Sequence, residues 1–346
     1  MNGIALDWQS IGGWTVFALT TAAVSYFGCV LATDLAKRSG MIAQPGSRQS
    51  HRVATPTGGG LGLMFSIVVM TIILHFLQPL PGFWWQRMLP GIILLVLIGW
   101  RDDKHPVSSL VRLVVQLVVS LWLIGLGGFN YSMLNAILFI GTILAIVWMM
   151  NLYNFMDGSN GMAGFQGVFT GLIMSLLFYA GDQSAMALLS MLVAAACAGF
   201  LPLNFPNARV FMGDVASVPL GFIFASLAVY GLHEGVLNLP VTILIMSVFI
   251  VDATLTLFAR AIRGERWYTA HAQHVYQRLI AHGWSHGRVL MVYQSFNVLL
   301  VMPAIVLAKI YPHYADVIAA LAMLMLGLSW QIANRRLGMF AKEQVT

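Results

Sequence analysis

Charge is scarce in this chain. Only 9% of its 346 residues are Asp, Glu, Lys or Arg, while 59% are hydrophobic and the mean hydropathy is +0.82. An ordinary soluble domain carries about 25% charged residues, so that deficit excludes one and leaves an integral membrane protein. Cysteine is nearly absent as well. Cys29 and Cys197 fall inside apolar runs with no paired-ligand spacing, which argues for helix packing and against a disulfide or a metal pair. The first apolar run, Ile11 to Ala32, also lacks what a signal peptide needs: Asp7 precedes it instead of lysines, and no convincing cleavage site follows. It reads as a retained span.

What is abundant is long apolar sequence. At about 20 apolar residues per crossing, the chain has room for ten or eleven transmembrane helices and no separate soluble domain. The runs lie near 11–33, 61–77, 88–100, 109–126, 132–150, 164–181, 184–202, 214–231, 239–258, 289–308 and 312–330, the third being the shortest. With eleven crossings, every Lys and Arg except Arg87 and Lys309 faces one side, which the positive-inside rule makes cytoplasmic. The N-terminus then lies outside, and the net charge of +6 reflects topology rather than nucleic-acid binding. The expected architecture is an all-α polytopic membrane protein with a cytoplasmic active-site cleft.

Four of the twelve acidic residues, Asp102, Asp103, Asp157 and Asp214, stand where apolar runs break on that same side. A charge at the bilayer centre costs roughly 3 kcal/mol or more, so acids gathered around a polar opening point to a functional site. A divalent cation carrying phosphate is the natural occupant.

The loops supply the company such a cation needs. Asn151, Asn154 and Asp157 recur every three residues and form a polar stripe at a helix end, with Gly158 and Gly161 allowing close backbone approach. An Asx-rich cap is the plainer alternative. Asp102-Asp103 can divide labour between binding a cation and taking a proton, although such a pair is often just a solvated turn. Arg112 and Gln116, one turn apart, could reach back toward a phosphate. Gly213-Asp214 opens a helix, so Asp214 is either a cap with Ser217 nearby or a metal ligand; the shared side favours the ligand.

Two basic loops complete the pattern. Arg260, Arg263, Arg266, Trp267, His271, His274, Tyr276, Gln277, Arg278, His282 and His286 crowd the ninth loop and suit an anionic, flat partner such as a nucleotide diphosphate. His271 and His274 at i, i+3 could be half of a zinc site, but no cysteine or acid at ligand spacing completes it. Asp252 is expected to pair with an arginine or another polar neighbour. In the first loop Arg48, Ser50, His51 and Arg52 offer phosphate contacts before the flexible Gly58-Gly59-Gly60, and Arg209 adds a cation in the seventh.

From Pro45 to about Arg288 the chain resembles the polyprenyl-phosphate N-acetylhexosamine-1-phosphate transferases, the MraY/WecA-like superfamily within glycosyltransferase family 4, and in it the O-antigen-initiating branch. The residues that carry this are Asn154-Phe-Met-Asp157-Gly158, Phe211-Met-Gly-Asp214, Asp102-Asp103 and His271-Ala-Gln-His274-Val-Tyr-Gln-Arg278, in the family's order and on its cytoplasmic side. The resemblance implies one transferase domain over 1–346 with a short cytoplasmic tail at 332–346, in a bacterial inner membrane. It implies transfer of a sugar 1-phosphate from a UDP-sugar to undecaprenyl phosphate, with release of UMP and with Mg²⁺ or Mn²⁺ as cofactor. Asp214 matches the metal ligand, with Asp103 beside it, and Asp102, Asp103 and Asp157 match the catalytic acids. Asn151, Asn154, Arg112, Arg48, His51, Arg209, Arg263, His271, His274, Gln277 and Arg278 become substrate-binding candidates. The implied partners are the UDP-sugar, the polyprenyl phosphate, the bilayer and a second copy in a homodimer, with no nucleic acid among them. The chain departs from the family at Asn160, where many members have Asp, and at Gln44, where an Asp often precedes the proline.

A secondary transporter or a flippase for lipid-linked sugars would also place charges near broken helices, but it predicts midspan polar residues and internal repeats. A lipid phosphotransferase of the CDP-alcohol type would concentrate its acids in one motif, whereas here they are dispersed.

Overall fold

A computed structural model describes residues 11–43, 54–125, 133–266, 269 and 271–338. Every apolar run becomes helix: α1 (Ile11–Arg38), α2 (Gly60–Leu77), α3 (Leu89–Lys104), α4 (Ser109–Gly125), α5 (Met133–Phe155), α6 (Met162–Ala180), α7 (Ser184–Asn204), α8 (Asp214–His233), α9 (Leu239–Ile245), α10 (Ser247–Ile262), α11 (Val275–Ala281), α12 (His286–Phe296), α13 (Met302–Ile310) and α14 (Ala315–Arg336). Among the described residues the β structure is one two-residue antiparallel pair, Ile42–Ala43 against Thr55–Pro56. The protein is an all-α polytopic membrane protein.

The ten or eleven expected spans are helices of unequal length and straightness. Among the described residues eight helices are long and apolar enough to cross a bilayer, and nine if α9 and α10 count as one span. That ninth run is bent by 80° at Met246. Its freed backbone finds partners inside the protein, as a break at membrane depth requires: Ser247 Oγ donates to the Leu244 carbonyl at 2.7 Å and Gln166 Nε2 to that of Ile245 at 3.4 Å. Gln166 in turn accepts from Asn297 at 2.8 Å. The fourth run forms a 17-residue helix, about 25 Å long at 1.5 Å per residue and short of a hydrocarbon core of about 30 Å. The third joins a π-helical turn, Trp84–Met88, to the 16 residues of α3 and ends in charge. The expected tail begins inside α14, which stays helical to Arg336; residues 339–346 lie outside the described residues.

Helix α8 is the centre of the bundle. Within its span 89% of the residues are buried, against 28% for α1 and 22% for α14, so α8 is encased by protein while the other two face lipid. Leu19, Phe27, Leu31, Phe76, Ile137, Leu138, Leu299, Leu321 and Leu324 are exposed, as lipid-facing positions should be. Without water to drive helices together, close packing of small residues does much of the work. Gly28 and Gly62 bring α1 and α2 into backbone contact: a Cβ on Gly62 would fall 2.1 Å from the Gly28 carbonyl carbon. Cys29 and Cys197 are buried and unbonded, in agreement with a packing role.

Candidate active site

The C-terminal ends of α3, α5 and α7 and the N-terminal ends of α4 and α8 meet at one end of the bundle, and the acids meet with them. Asp103, in the last turn of α3, turns its carboxylate onto the start of α8. Oδ1 accepts from the Asp214 amide at 3.0 Å and Oδ2 from that of Val215 at 3.2 Å. The cap of α8 therefore comes from another helix, and Asp214 is free to project its own side chain. Gly213 makes this possible: its φ is +76°, and a Cβ there would lie 2.4 Å from Asp103 Oδ2.

Asp214 is held at both oxygens. Oδ1 accepts from Asn154 Nδ2 at 2.7 Å, and the same amide reaches Ser217 Oγ at 2.9 Å. Oδ2 accepts from Arg112 Nη1 at 3.1 Å, and this nitrogen also binds Asp102 Oδ2 at 2.9 Å. Asp102 is fixed further by the Val107 amide. Arg112 thus bridges two acids that are distant in sequence.

The stripe expected from Asn151, Asn154 and Asp157 exists, and each member meets a different neighbour. Asn151 exchanges hydrogen bonds with Gln116 of α4, with 2.7 Å for Nδ2 to Oε1. Asn154 takes Asp214. Asp157, just past α5, sits by the Gly213 amide; burial, then the charges of Asp214 and Asp103, hold it well above the ordinary carboxylate range, and that amide offsets part of the rise.

The ninth loop is tied to the same place through Tyr276, whose hydroxyl donates to the Phe155 carbonyl at 2.8 Å. Gly158 has to be glycine for this, because a Cβ would fall 2.1 Å from that hydroxyl. The rings of His274 and Phe155 stack at 6.1 Å, and His271 lies 4.8 Å from His274. Burial, then His274 and Arg260, pushes His271 down to about 3, so its ring is neutral near pH 7. Asp252 does not pair with an arginine. It accepts from Tyr293 Oη and from the Val275 amide at 3.0 Å, and so holds the start of α11 in the way Asp103 holds α8.

Other candidates are placed with different partners. Gln277 accepts from the His274 amide at 3.2 Å. Arg263 pairs with Glu265 at 2.7 Å and donates to Gln273 at 2.8 Å, while Arg278 reaches the Leu337 carbonyl at the end of α14. Arg209 is on an exposed turn, and Arg48 and His51 lie outside the described residues. Asn160, where the family often has Asp, donates to the Pro206 carbonyl at 3.0 Å. Asn204 has no assigned role in the sequence, yet it joins two loops: Oδ1 accepts from Gly161 at 2.7 Å and Nδ2 donates to the Val210 carbonyl at 3.0 Å. An Asn at the last position of an apolar helix was the available signal. A cleft of about 330 Å³ is lined by Met41, Thr57, Asp103, Lys104 and His105 among others, and of the four acids Asp103 is the one that lines it.

The arrangement offers hard oxygen ligands with a cation already among them. Among the described residues no three acid, imidazole or thiol groups form a complete cage for a metal ion. Carboxylate oxygens are the ligand type that Mg²⁺ takes, typically one or two of them with water and substrate phosphate in the remaining positions.

Residues 85–232, which include all four acids, match glycosyl transferase family 4. The chain is 27% identical over 304 residues, 82% of its length and 83% of the relative's, to a probable undecaprenyl-phosphate N-acetylglucosaminyl 1-phosphate transferase of Bacillus subtilis. It is 28% identical over 312 residues, 79% of this chain and 77% of the other, to a decaprenyl-phosphate N-acetylglucosaminephosphotransferase of Mycobacterium tuberculosis. A phospho-N-acetylmuramoyl-pentapeptide-transferase of Halalkalibacterium halodurans is 29% identical over 289 residues, 76% and 86% of the two chains. With the acids, the Asn stripe and the membrane bundle in place, the chain is similar to glycosyl transferase family 4 over residues 85–232 and, along most of its length, to polyprenyl-phosphate N-acetylglucosamine-1-phosphate transferases.

Proposed function

We propose that this protein transfers an N-acetylhexosamine 1-phosphate from a UDP-sugar to undecaprenyl phosphate. An oxygen of the acceptor phosphate forms a bond to the sugar-bearing phosphorus, the diphosphate link breaks, and UMP leaves. The observation that carries this reading is the convergence of Asp102, Asp103, Asp157 and Asp214, joined by Arg112 and Asn154, at one end of an apolar bundle. Both reactants are anions, so positioning and charge neutralisation supply most of the rate.

Roles follow from the contacts. Asp214, with Asp103 adjacent, would hold Mg²⁺ or Mn²⁺, which when bound neutralises diphosphate charge and stabilises departing UMP. Asn154 orients Asp214, and Asp103 fixes the start of α8. Asp102 and Asp157 are the remaining acids for proton handling. In this reading His271 and His274, in the loop tied to the end of α5 through Tyr276, are hydrogen-bonding candidates for the donor. The cation distribution of the loops supports placing this end in the cytoplasm of a bacterial inner membrane, where UDP-sugars are made. We assign the product to the first step of an O-antigen-type surface glycan on the ninth-loop sequence.

The test is to offer purified protein undecaprenyl phosphate and a panel of UDP-N-acetylsugars, with and without Mg²⁺ or Mn²⁺, and to measure UMP and lipid mass. UMP release that needs both the lipid and the cation is expected; no release with any donor rejects the reading. One observation favours a second reading: the break between α9 and α10, with Gln166 and Asn297 buried beside it, is a feature shared with secondary transporters. Sugar movement across vesicles without UMP would identify that activity.

A further inference from the structure

The two oxygens of Asp214 are occupied by partners of different kinds. On Oδ1 the contact is neutral and doubly anchored, since the Asn154 amide also holds Ser217 on the next turn of α8. On Oδ2 the contact is ionic and comes from Arg112, a long side chain 39% exposed, against 24% for Asp214 and 12% for Asp102. An incoming cation that takes Asp214 as a ligand can claim Oδ2 far more readily than Oδ1. The guanidinium stands on that oxygen, and like charges at contact distance repel strongly where water is sparse.

We propose that Arg112 is a built-in counter-ion of the acid cluster, one that holds Asp102 and Asp214 together in the resting protein and cedes Asp214 when a divalent cation arrives with an anionic nucleotide. The inference rests on reading Asp214 as a metal ligand. Without a cation, acids this close would repel one another and expose the end of α8 to strain; the tethered guanidinium removes that cost. It also makes binding of a cation alone unfavourable. When nucleotide phosphate accompanies the cation, the released guanidinium gains a new anion that suits its planar fork. Cation and nucleotide therefore bind with positive coupling, and by linkage each raises the other's affinity by the same factor.

Mn²⁺ binding to the full chain in nanodiscs, read by electron paramagnetic resonance with and without UMP, tests this directly. Arg112→Gln is expected to bind Mn²⁺ about tenfold more tightly than wild type in the absence of nucleotide, within the usual 5–150-fold range of site-to-site coupling. UMP is expected to tighten Mn²⁺ binding several times more in wild type than in Arg112→Gln. Equal or weaker Mn²⁺ binding by Arg112→Gln, with UMP acting alike on both proteins, overturns the proposal while leaving the metal assignment standing. Absence of Mn²⁺ binding in both proteins, with and without UMP, overturns the metal assignment and the counter-ion role together. If Arg112→Gln does not fold, Arg112→Lys replaces it: a compact ammonium spans two carboxylates poorly. A smaller gain in the same direction is expected from it, and no gain refutes the role.

Discussion

Asp103 caps a helix that begins 111 residues further along the chain: its carboxylate accepts the Asp214 amide at 3.0 Å, and so the last turn of α3 sets where Asp214 stands. The contact is structural and chemical together, because a negative charge at a helix N-terminus is stabilised by the helix dipole while the neighbouring acid is aimed into the site. Asp103→Asn keeps the shape and one acceptor but loses the charge. Loss of such a cap costs about 1 kcal/mol, so this variant should remain folded in detergent with a slightly lower Tm. Its turnover should fall by about a hundredfold or more, as when a group that positions reacting charge is removed. Normal turnover in that variant would remove Asp103 from the active machinery.

Asp102→Asn and Asp214→Asn separate metal binding from the rest. Both should abolish cation-dependent UMP release. Mn²⁺ titration should then show Asp214→Asn without the high-affinity site, whereas Asp102→Asn, which keeps Asp214, should retain most of the binding. Near-wild-type activity in Asp214→Asn refutes the ligand assignment.

Gly158 and Tyr276 are expected to be strongly coupled. In Gly158→Ala the new Cβ would lie 2.1 Å from the tyrosine hydroxyl, while the nearest ring carbon is 3.0 Å away. The single variant should lose stability by about 1–3 kcal/mol, the usual cost of overpacking. Adding Tyr276→Phe should recover part of that loss, a non-additivity that thermal unfolding of the four proteins in the cycle can read. Strict additivity would show that the loop moves out of the way.

His271 supplies a pH dependence with a defined sign. Its folded-state value is about 3 against an ordinary value near 6.5, so between those limits the unfolded chain binds the extra proton. Stability from this residue is complete above about pH 6.5 and is lost as pH falls toward 3. Tm measured from pH 7.5 to 5 should therefore drop more for wild type than for His271→Asn. Asp157 is present in both proteins, so its opposite trend, stability falling as pH rises, cancels in the difference. Parallel curves would mean that His271 is not held neutral.

Much of this site was legible in the sequence because charge is so rare that each acid stands out. The stripe of Asn151, Asn154 and Asp157 could be read from spacing, and Arg112 was visible as a cation one helix away from the Asp pair. What spacing could not supply was pairing across the fold. Arg112 was expected to reach a phosphate, and it is found on Asp102 and Asp214; Asp252 was expected to meet an arginine or another polar neighbour, and which one it meets, Tyr293 and a backbone amide, is settled only by the fold. Such contacts depend on which helix ends are neighbours, which local sequence does not encode. The break at Met246 escaped for another reason. Hydropathy averages over a whole window, and neither proline nor glycine marks the bend; Pro240 lies at the start of α9, and the polar groups at the bend are Ser247, Gln166 of α6 and Asn297, just past α12.

Helix α8 touches almost no lipid, while α1 and α14 are mostly lipid-facing. Changes in bilayer thickness act on helices that meet the hydrocarbon, which tilt to match it. In this protein the outer helices absorb that adjustment, and the helix that carries Asp214 is insulated from it. Asp102 and Asp103 ride instead on α3, whose Ile93, Leu94 and Leu97 are exposed, so bilayer thickness can reach the acid cluster through the contact of Asp103 with the start of α8.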